Sequence, residues 1–183
     1  DDNHDDLALF RMLMGKYLGA MKIIGVDSSV DALKLLRSDS FDCIVCDYQM
    51  PDKDGLAVLQ EVRERGLRTP FIFLTGQGNE EIAANALRAG ADDYFTKGVG
   101  TAFFERLANT IRRLIRQHED REKHEHSLRE WHKSELKYRD LFQASKDAVF
   151  MIDLDGVVSD FNPSALEMFG YEADEALGMP AVN

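Results

Sequence analysis

The chain has 183 residues, 44% of them hydrophobic, and a formal net charge of −11 from 22 basic and 33 acidic side chains. That length suits one large domain or one domain and part of another, and the acidic balance argues against a general nucleic-acid or anionic-membrane surface. No apolar run approaches the roughly 20 residues that span a bilayer, and two cysteines make no disulfide framework, so a reducing, cytoplasmic setting without membrane insertion is expected.

Residues 4–18 place Leu7, Phe10, Leu13 and Tyr17 on one helical stripe. Residues 21–26 read as a short strand, and Ser29 as the cap of a helix that buries Val30, Leu33 and Leu36. Cys43-Ile44-Val45-Cys46 is a buried strand ending at Asp47. Its C-x-x-C spacing suggests metal or redox chemistry, but on a strand positions i and i+3 face opposite ways, so the two thiols read as small buried hydrophobes. Leu56, Leu59 and Val62 mark the next helix, which Gly66 closes. Phe71-Ile72-Phe73-Leu74 then runs into Thr75-Gly76. Asn79-Glu80-Glu81 opens a helix that stops near Gly90, with acids at the positive end of its dipole. Tyr94-Phe95-Thr96 leads into Lys97-Gly98, and a helix starts near Thr101. Strands alternating with helices of this length predict βαβ units and a doubly wound parallel sheet.

If the strands are parallel, Asp47, Thr75 and Lys97 meet at one crevice, where open α/β sheets bind ligands. A carboxylate, a hydroxyl and an ammonium there suit phosphoryl chemistry. With Asp1 and Asp2, then Met50-Pro51, Asp54-Gly55, Thr75-Gly76, and Tyr94 three residues before Lys97, the stretch 1–116 resembles a response-regulator receiver domain of two-component signalling, a flavodoxin-like fold.

The resemblance implies that Asp47 is the phosphoacceptor, with Thr75 and Lys97 as its catalytic companions. It further implies that Mg²⁺ is held by Asp2 and Asp47, by the backbone carbonyl of Gln49 and, through water, by Asp1. Thr75 and Tyr94 would form the switch. The implied phosphodonor is a histidine kinase or phosphotransfer protein. In the family the acidic pair follows a central strand, so apolar residues upstream of Asp1 are expected. Gly98 stands where the family commonly has a cis proline. A cis bond before a non-proline residue costs about 2.5–4 kcal/mol, so a trans bond and a looser loop are expected here.

From Thr101 no Pro or Gly interrupts the chain until beyond Phe142. Phe104, Leu107, Ile111 and Leu114 form the inner stripe of the last receiver helix, residues 117–137 read as a helical linker and possible coiled coil that is almost wholly polar over 117–126, and Leu128, Trp131, Glu135, Tyr138 and Phe142 then resume a three–four spacing. A continuous helix over 101–142 would be on the order of 60 Å long. Pairing with a second copy as a parallel coiled coil would support it, and a homodimer is expected; because the centre of the helix is polar, a monomer with a frayed linker is the alternative. His118-Glu119-Asp120 and His124-Glu125-His126 lack the continuation of a histidine-kinase phosphoacceptor motif and read as solvated helix surface. Gly76-Gln77-Gly78 lacks the third glycine of a dinucleotide fingerprint and reads as a loop.

Ala148–Ile152 and Val157–Phe161 read as a hairpin around Asp153-Leu154-Asp155-Gly156, with Asn162-Pro163-Ser164-Ala165 opening a short helix. Together with the preceding helical turn, residues 138–183 resemble the amino-terminal part of a PAS sensor domain, a partial α+β module in which neither haem nor flavin is expected. Asp153-x-Asp155-Gly156 also resembles the first motif of haloacid-dehalogenase phosphatases, but the 28 residues after Asp155 (183 − 155) contain no lysine to complete that site. A hairpin turn with glycine at its left-handed position explains the same letters. The sequence thus points to a phosphoacceptor receiver whose output passes through the long helix to a sensory module, inside a larger sensor kinase or regulator. The alternative is an interaction module that signals by dimerisation alone. Neither a basic recognition helix nor a helix-turn-helix follows the receiver, so no DNA-binding output is expected.

Overall fold

The computed structural model describes residues 4–50, 54–76, 80–98, 100–172 and 177–181, and side chains within them except at residues 4–6 and 80–82. The chain divides into two compact units, 1–122 and 123–183.

In the first unit three strands lie parallel in the order β1 (Ile44–Asp47), β2 (Phe71–Thr75), β3 (Asp93–Thr96). Ile44 pairs with Phe71 and Asp47 with Leu74, while Ile72 pairs with Asp93 and Thr75 with Thr96. β2 is central and all five of its residues are buried. Its alternation divides the core in two. Ile72 and Leu74 pack with Phe95 against Met14 and Phe10 of α1 (His4–Leu18) and against Phe104, Leu107, Ala108, Ile111 and Leu114 of α5 (Thr101–Ala144). Phe71 and Phe73 pack on the other face against Leu33 of α2 (Ser29–Ser38), Val58, Leu59 and Val62 of α3 (Gly55–Glu64), and Ala86 of α4 (Glu80–Arg88). Helices therefore cover both faces of a parallel sheet. Cys43 and Val45 join the first cluster and Ile44 and Cys46 the second, so the two thiols do face apart.

Three expectations need correction. Residues 21–26 form no strand: no described segment supplies a ladder for their backbone groups, and the stretch instead leans Ile23 on the first core cluster. The cap of α2 is Ser28, not Ser29. This moves Ser29 into the helix, where its hydroxyl is buried with no hydrogen-bond partner, and leaves Val30 exposed. On α1 the deepest side chain is Met14, one position beyond the Leu13 of the expected stripe.

Arg63 ties the amino-terminal edge of the sheet together. Its guanidinium donates to the carbonyls of Gly90, Leu67 and Thr69 and to Asp92, whose Oδ2 also accepts from the Phe71 amide at 2.9 Å. Burial lowers the pKa of this arginine, and the Asp92 charge opposes that shift.

α5 is one helix of 44 residues. In the second unit Leu128, Trp131, Tyr138 and Leu141 of this helix are exposed, while Phe142 is buried and stacks on Tyr138 at 5.8 Å. β4 (Phe150–Ile152) and β5 (Val158–Phe161) form an antiparallel hairpin, and α6 (Pro163–Phe169) follows. The turn is an Asx turn: Asp153 Oδ1 accepts from the amides of Asp155 at 3.0 Å and Val157 at 2.9 Å, with Gly156 at φ +80°. Asn162, fully buried, is the hub of this unit. Its Oδ1 accepts from Ala165 and Val149, capping α6, and its Nδ2 donates to the carbonyls of Asp147 and Ser145.

Candidate functional site

Asp47 ends β1 and is only 7% exposed, so its carboxylate needs partners. One comes from 50 residues away: Lys97 Nζ donates to Asp47 Oδ2 at 2.5 Å. The Gln49 amide donates to Oδ1 at 3.3 Å. Lys97 lies one residue past the end of β3, and its own amide donates to the Thr75 carbonyl at 2.7 Å, extending the ladder by one bond. Thr75, at the end of β2 between these two strand ends, is 4% exposed. The parallel register thus sets an acid, a hydroxyl-bearing residue and an ammonium on three adjacent strand termini.

The loop after Asp47 is held closely. Tyr48 donates its amide to Leu74 O and accepts at its own carbonyl from the Gly55 amide, both at 2.9 Å. A β-carbon on Gly55 would sit 2.5 Å from the Asp47 carbonyl oxygen and 2.6 Å from Phe73 Cε1, so only glycine fits this approach. Asp54 caps α3 through the Ala57 amide at 2.8 Å. The Asp54-Gly55 pair therefore presses the start of α3 against the end of β1, a role visible in sequence only as a family pattern. The Gln49 amide contact has no sequence signal, because any residue supplies it.

The Lys97–Gly98 bond is trans, as glycine at this position predicts. A β-carbon on Gly98 would lie 3.3 Å from Phe103 Cδ2. Tyr94 is 39% exposed and stands on the surface. Asp1, Asp2, Pro51, Gln77, Gly78 and Asn79 lie outside the described residues. Among the described residues no group of three His, Cys, Asp or Glu side chains is placed to hold a metal ion. The buried carboxylate of Asp47 and the main chain of Gln49 are hard oxygen donors of the kind a divalent cation such as Mg²⁺ takes, and they fit a site that further acids would complete. The thiols beside the site stay neutral: burial pushes both Cys43 and Cys46 up to about 12.

Residues 1–112 match the family model of the response regulator receiver domain, more than half of the chain. The chain belongs to that family. Residues 136–183 match the model of the PAS fold. Over 67 residues the receiver is 43% identical to the transcriptional regulatory protein DltR of Streptococcus agalactiae serotype III (strain NEM316), covering 37% of this chain and 30% of that protein. Over 98 residues it is 37% identical to the Regulator of RpoS of Escherichia coli (strain K12), covering 52% of this chain and 29% of that protein. The chain thus spans about three tenths of the length of these curated relatives. Among solved structures, the receiver domain of the Francisella response regulator 1452 superposes with a TM-score of 0.57 at 25% identity, covering 64% of this chain and 93% of that one. A response regulator receiver domain from Clostridium thermocellum gives 0.59 at 25% identity, with 65% and 92% covered. No described helix is long and apolar enough to cross a membrane.

Proposed function

We propose that this receiver takes a phosphoryl group from a phosphohistidine onto Asp47. The observation that carries the reading is the buried Asp47 carboxylate held by an ammonium from a strand end 50 residues on. In the transfer an Asp47 oxygen attacks phosphorus in line. The O–P bond forms as the P–N bond breaks, and the electron pair leaves on the imidazole nitrogen. Lys97 shifts from the free carboxylate to the oxygens of the incoming group, with the Thr75 hydroxyl beside it. Asp2, Asp47, the Gln49 carbonyl and, through water, Asp1 would hold Mg²⁺, which when bound supplies further positive charge against the phosphoryl oxygens.

The acyl phosphate brings about −1.5 to −2 charge to the end of β1. Thr75 moving toward it opens space for Tyr94 to turn inward, and the repacked surface at β3 and the start of α5 biases that helix and the PAS module. The donor is a histidine kinase or phosphotransfer protein, and the setting is cytoplasmic. We assign residues 1–116 to the receiver, 117–137 to a linker and 138–183 to the PAS part. The exposed Leu128 and Trp131 and the half-exposed Tyr138 favour a homodimer through the 101–142 helix, since they repeat at heptad-like spacing.

Incubation with Mg²⁺ and acetyl phosphate tests the reading. The intact chain gains the mass of one phosphoryl group, and Asp47→Asn loses that gain entirely. Absence of an adduct in the unaltered chain leaves dimerisation alone as the signal, and turnover abolished by Asp153→Asn would point to a phosphatase.

A further inference from the structure

The ammonium of Lys97 is useful only if its long stem starts from a fixed point, because lysine side chains are flexible. On its amino side the residue is fixed by the bond from its amide to Thr75 O at 2.7 Å. On its carboxyl side comes Gly98, which has no side chain to anchor. The anchor comes from α5 instead. A β-carbon on Gly98 would lie 3.3 Å from Phe103 Cδ2 and 3.4 Å from Phe103 Cβ and Cγ. Phe103 sits in the first turn of α5, with its ring edge-on to Phe95 at 6.4 Å and to Phe104 at 5.1 Å. Phe95 and Phe104 are both core residues, and Arg106 covers Phe95 from 5.7 Å. One ring therefore packs on Phe95, two residues before Lys97, and borders the space a side chain at 98, one residue after it, would fill.

We infer that Phe103 is a positioning residue for phosphorylation, clamping the strand end on both sides of Lys97 so that its ammonium reaches Asp47. Glycine at 98 suits this clamp: a methyl group there would lie 3.3 Å from Cδ2 of the Phe103 ring, so the ring would have to give by a few tenths of an ångström. The inference rests on the reading of Asp47 and Lys97 given above. Because a displacement of about 1 Å in a catalytic group costs up to a hundredfold in rate, loosening the clamp has a measurable effect.

The test is the initial rate of acyl-phosphate formation with Mg²⁺ and acetyl phosphate, followed by intact mass, with thermal unfolding measured alongside. Phe103→Ala slows the reaction about tenfold in folded protein, and Phe103→Tyr, which keeps the ring edge, restores most of the rate. In a Lys97→Ala background, Phe103→Ala brings no further loss, an outcome that a merely structural role would not produce. Gly98→Ala slows the reaction as well, and Phe103→Leu relieves that defect by making room. Should Phe103→Ala fail to fold, the Gly98→Ala and Phe103→Leu pair decides the matter. Unchanged rates in the folded variants, or losses that multiply with Lys97→Ala, overturn the clamp while leaving Asp47 as acceptor. No adduct on the unaltered chain overturns the phosphoacceptor reading and the clamp with it.

Discussion

Asp47 and Asp153 both follow short apolar strands and precede turns that contain glycine, yet their carboxylates are occupied in opposite ways. Asp153 spends Oδ1 on the amides of Asp155 and Val157, both inside its own turn. Asp47 is buried, and its shortest hydrogen bond comes from the ammonium of Lys97, just past the end of β3. A turn satisfied by its own backbone shapes the chain locally, whereas a carboxylate satisfied from a distant strand end depends on the whole sheet being assembled. The strands differ in the same sense. β2 is buried on both faces by five helices' worth of packing, while all three residues of β4 are exposed. The first unit gathers Asp47, Thr75 and Lys97 at one sheet edge, and the second uses similar letters for a hairpin.

The largest expected effect that sharpens this contrast is on rate. Lys97→Ala slows acyl-phosphate formation about a hundredfold, the scale for removing one preorganised charge, whereas Asp153→Ala leaves that rate unchanged. Time-resolved intact mass reads both variants. Next comes stability. Phe73→Ala, at a fully buried site between α3 and the sheet, costs about 3–5 kcal/mol, while Phe150→Ala on the exposed hairpin costs about 1 kcal/mol or less. Urea titration with hydrogen exchange in each unit separates the two. Asn162→Ala breaks the hub of the second unit and lowers that unit's stability by about 2 kcal/mol, with no change in phosphorylation at Asp47.

The smallest effect at neutral pH concerns the thiols. Unfolding returns Cys43 and Cys46 from about 12 toward the ordinary value of 9.0. The unfolded chain therefore releases protons that the folded chain keeps, and stability falls as pH rises from 9 toward 12, with no change below 9. Chemical denaturation across that range shows the fall, and replacing both cysteines by alanine flattens it. In the folded protein both thiols also resist alkylation at pH 8.

Much of the site was legible in the sequence because parallel strands deliver their carboxyl ends to one edge, so apolar runs ending in Asp47, Thr75 and Lys97 already imply where those residues go. The opposite faces of Cys43 and Cys46 followed from strand geometry alone, and the Asp153 turn from its glycine. Residues 21–26 misled because apolar letters make a strand only when a neighbour offers a ladder. Ser29 misled because two adjacent serines compete for one cap. Phe103 carried no signal of its own: a second aromatic beside Phe104 reads as helix composition until its packing on Phe95 is seen.

The central claim is that Asp47, and not a turn aspartate, receives the phosphoryl group. Treating the phosphorylated chain with borohydride converts an aspartyl phosphate into homoserine, and peptide sequencing by mass spectrometry then locates it. The account predicts homoserine at position 47 alone. Homoserine at 153 or 155, or none in a chain that has gained the phosphoryl mass, would contradict it.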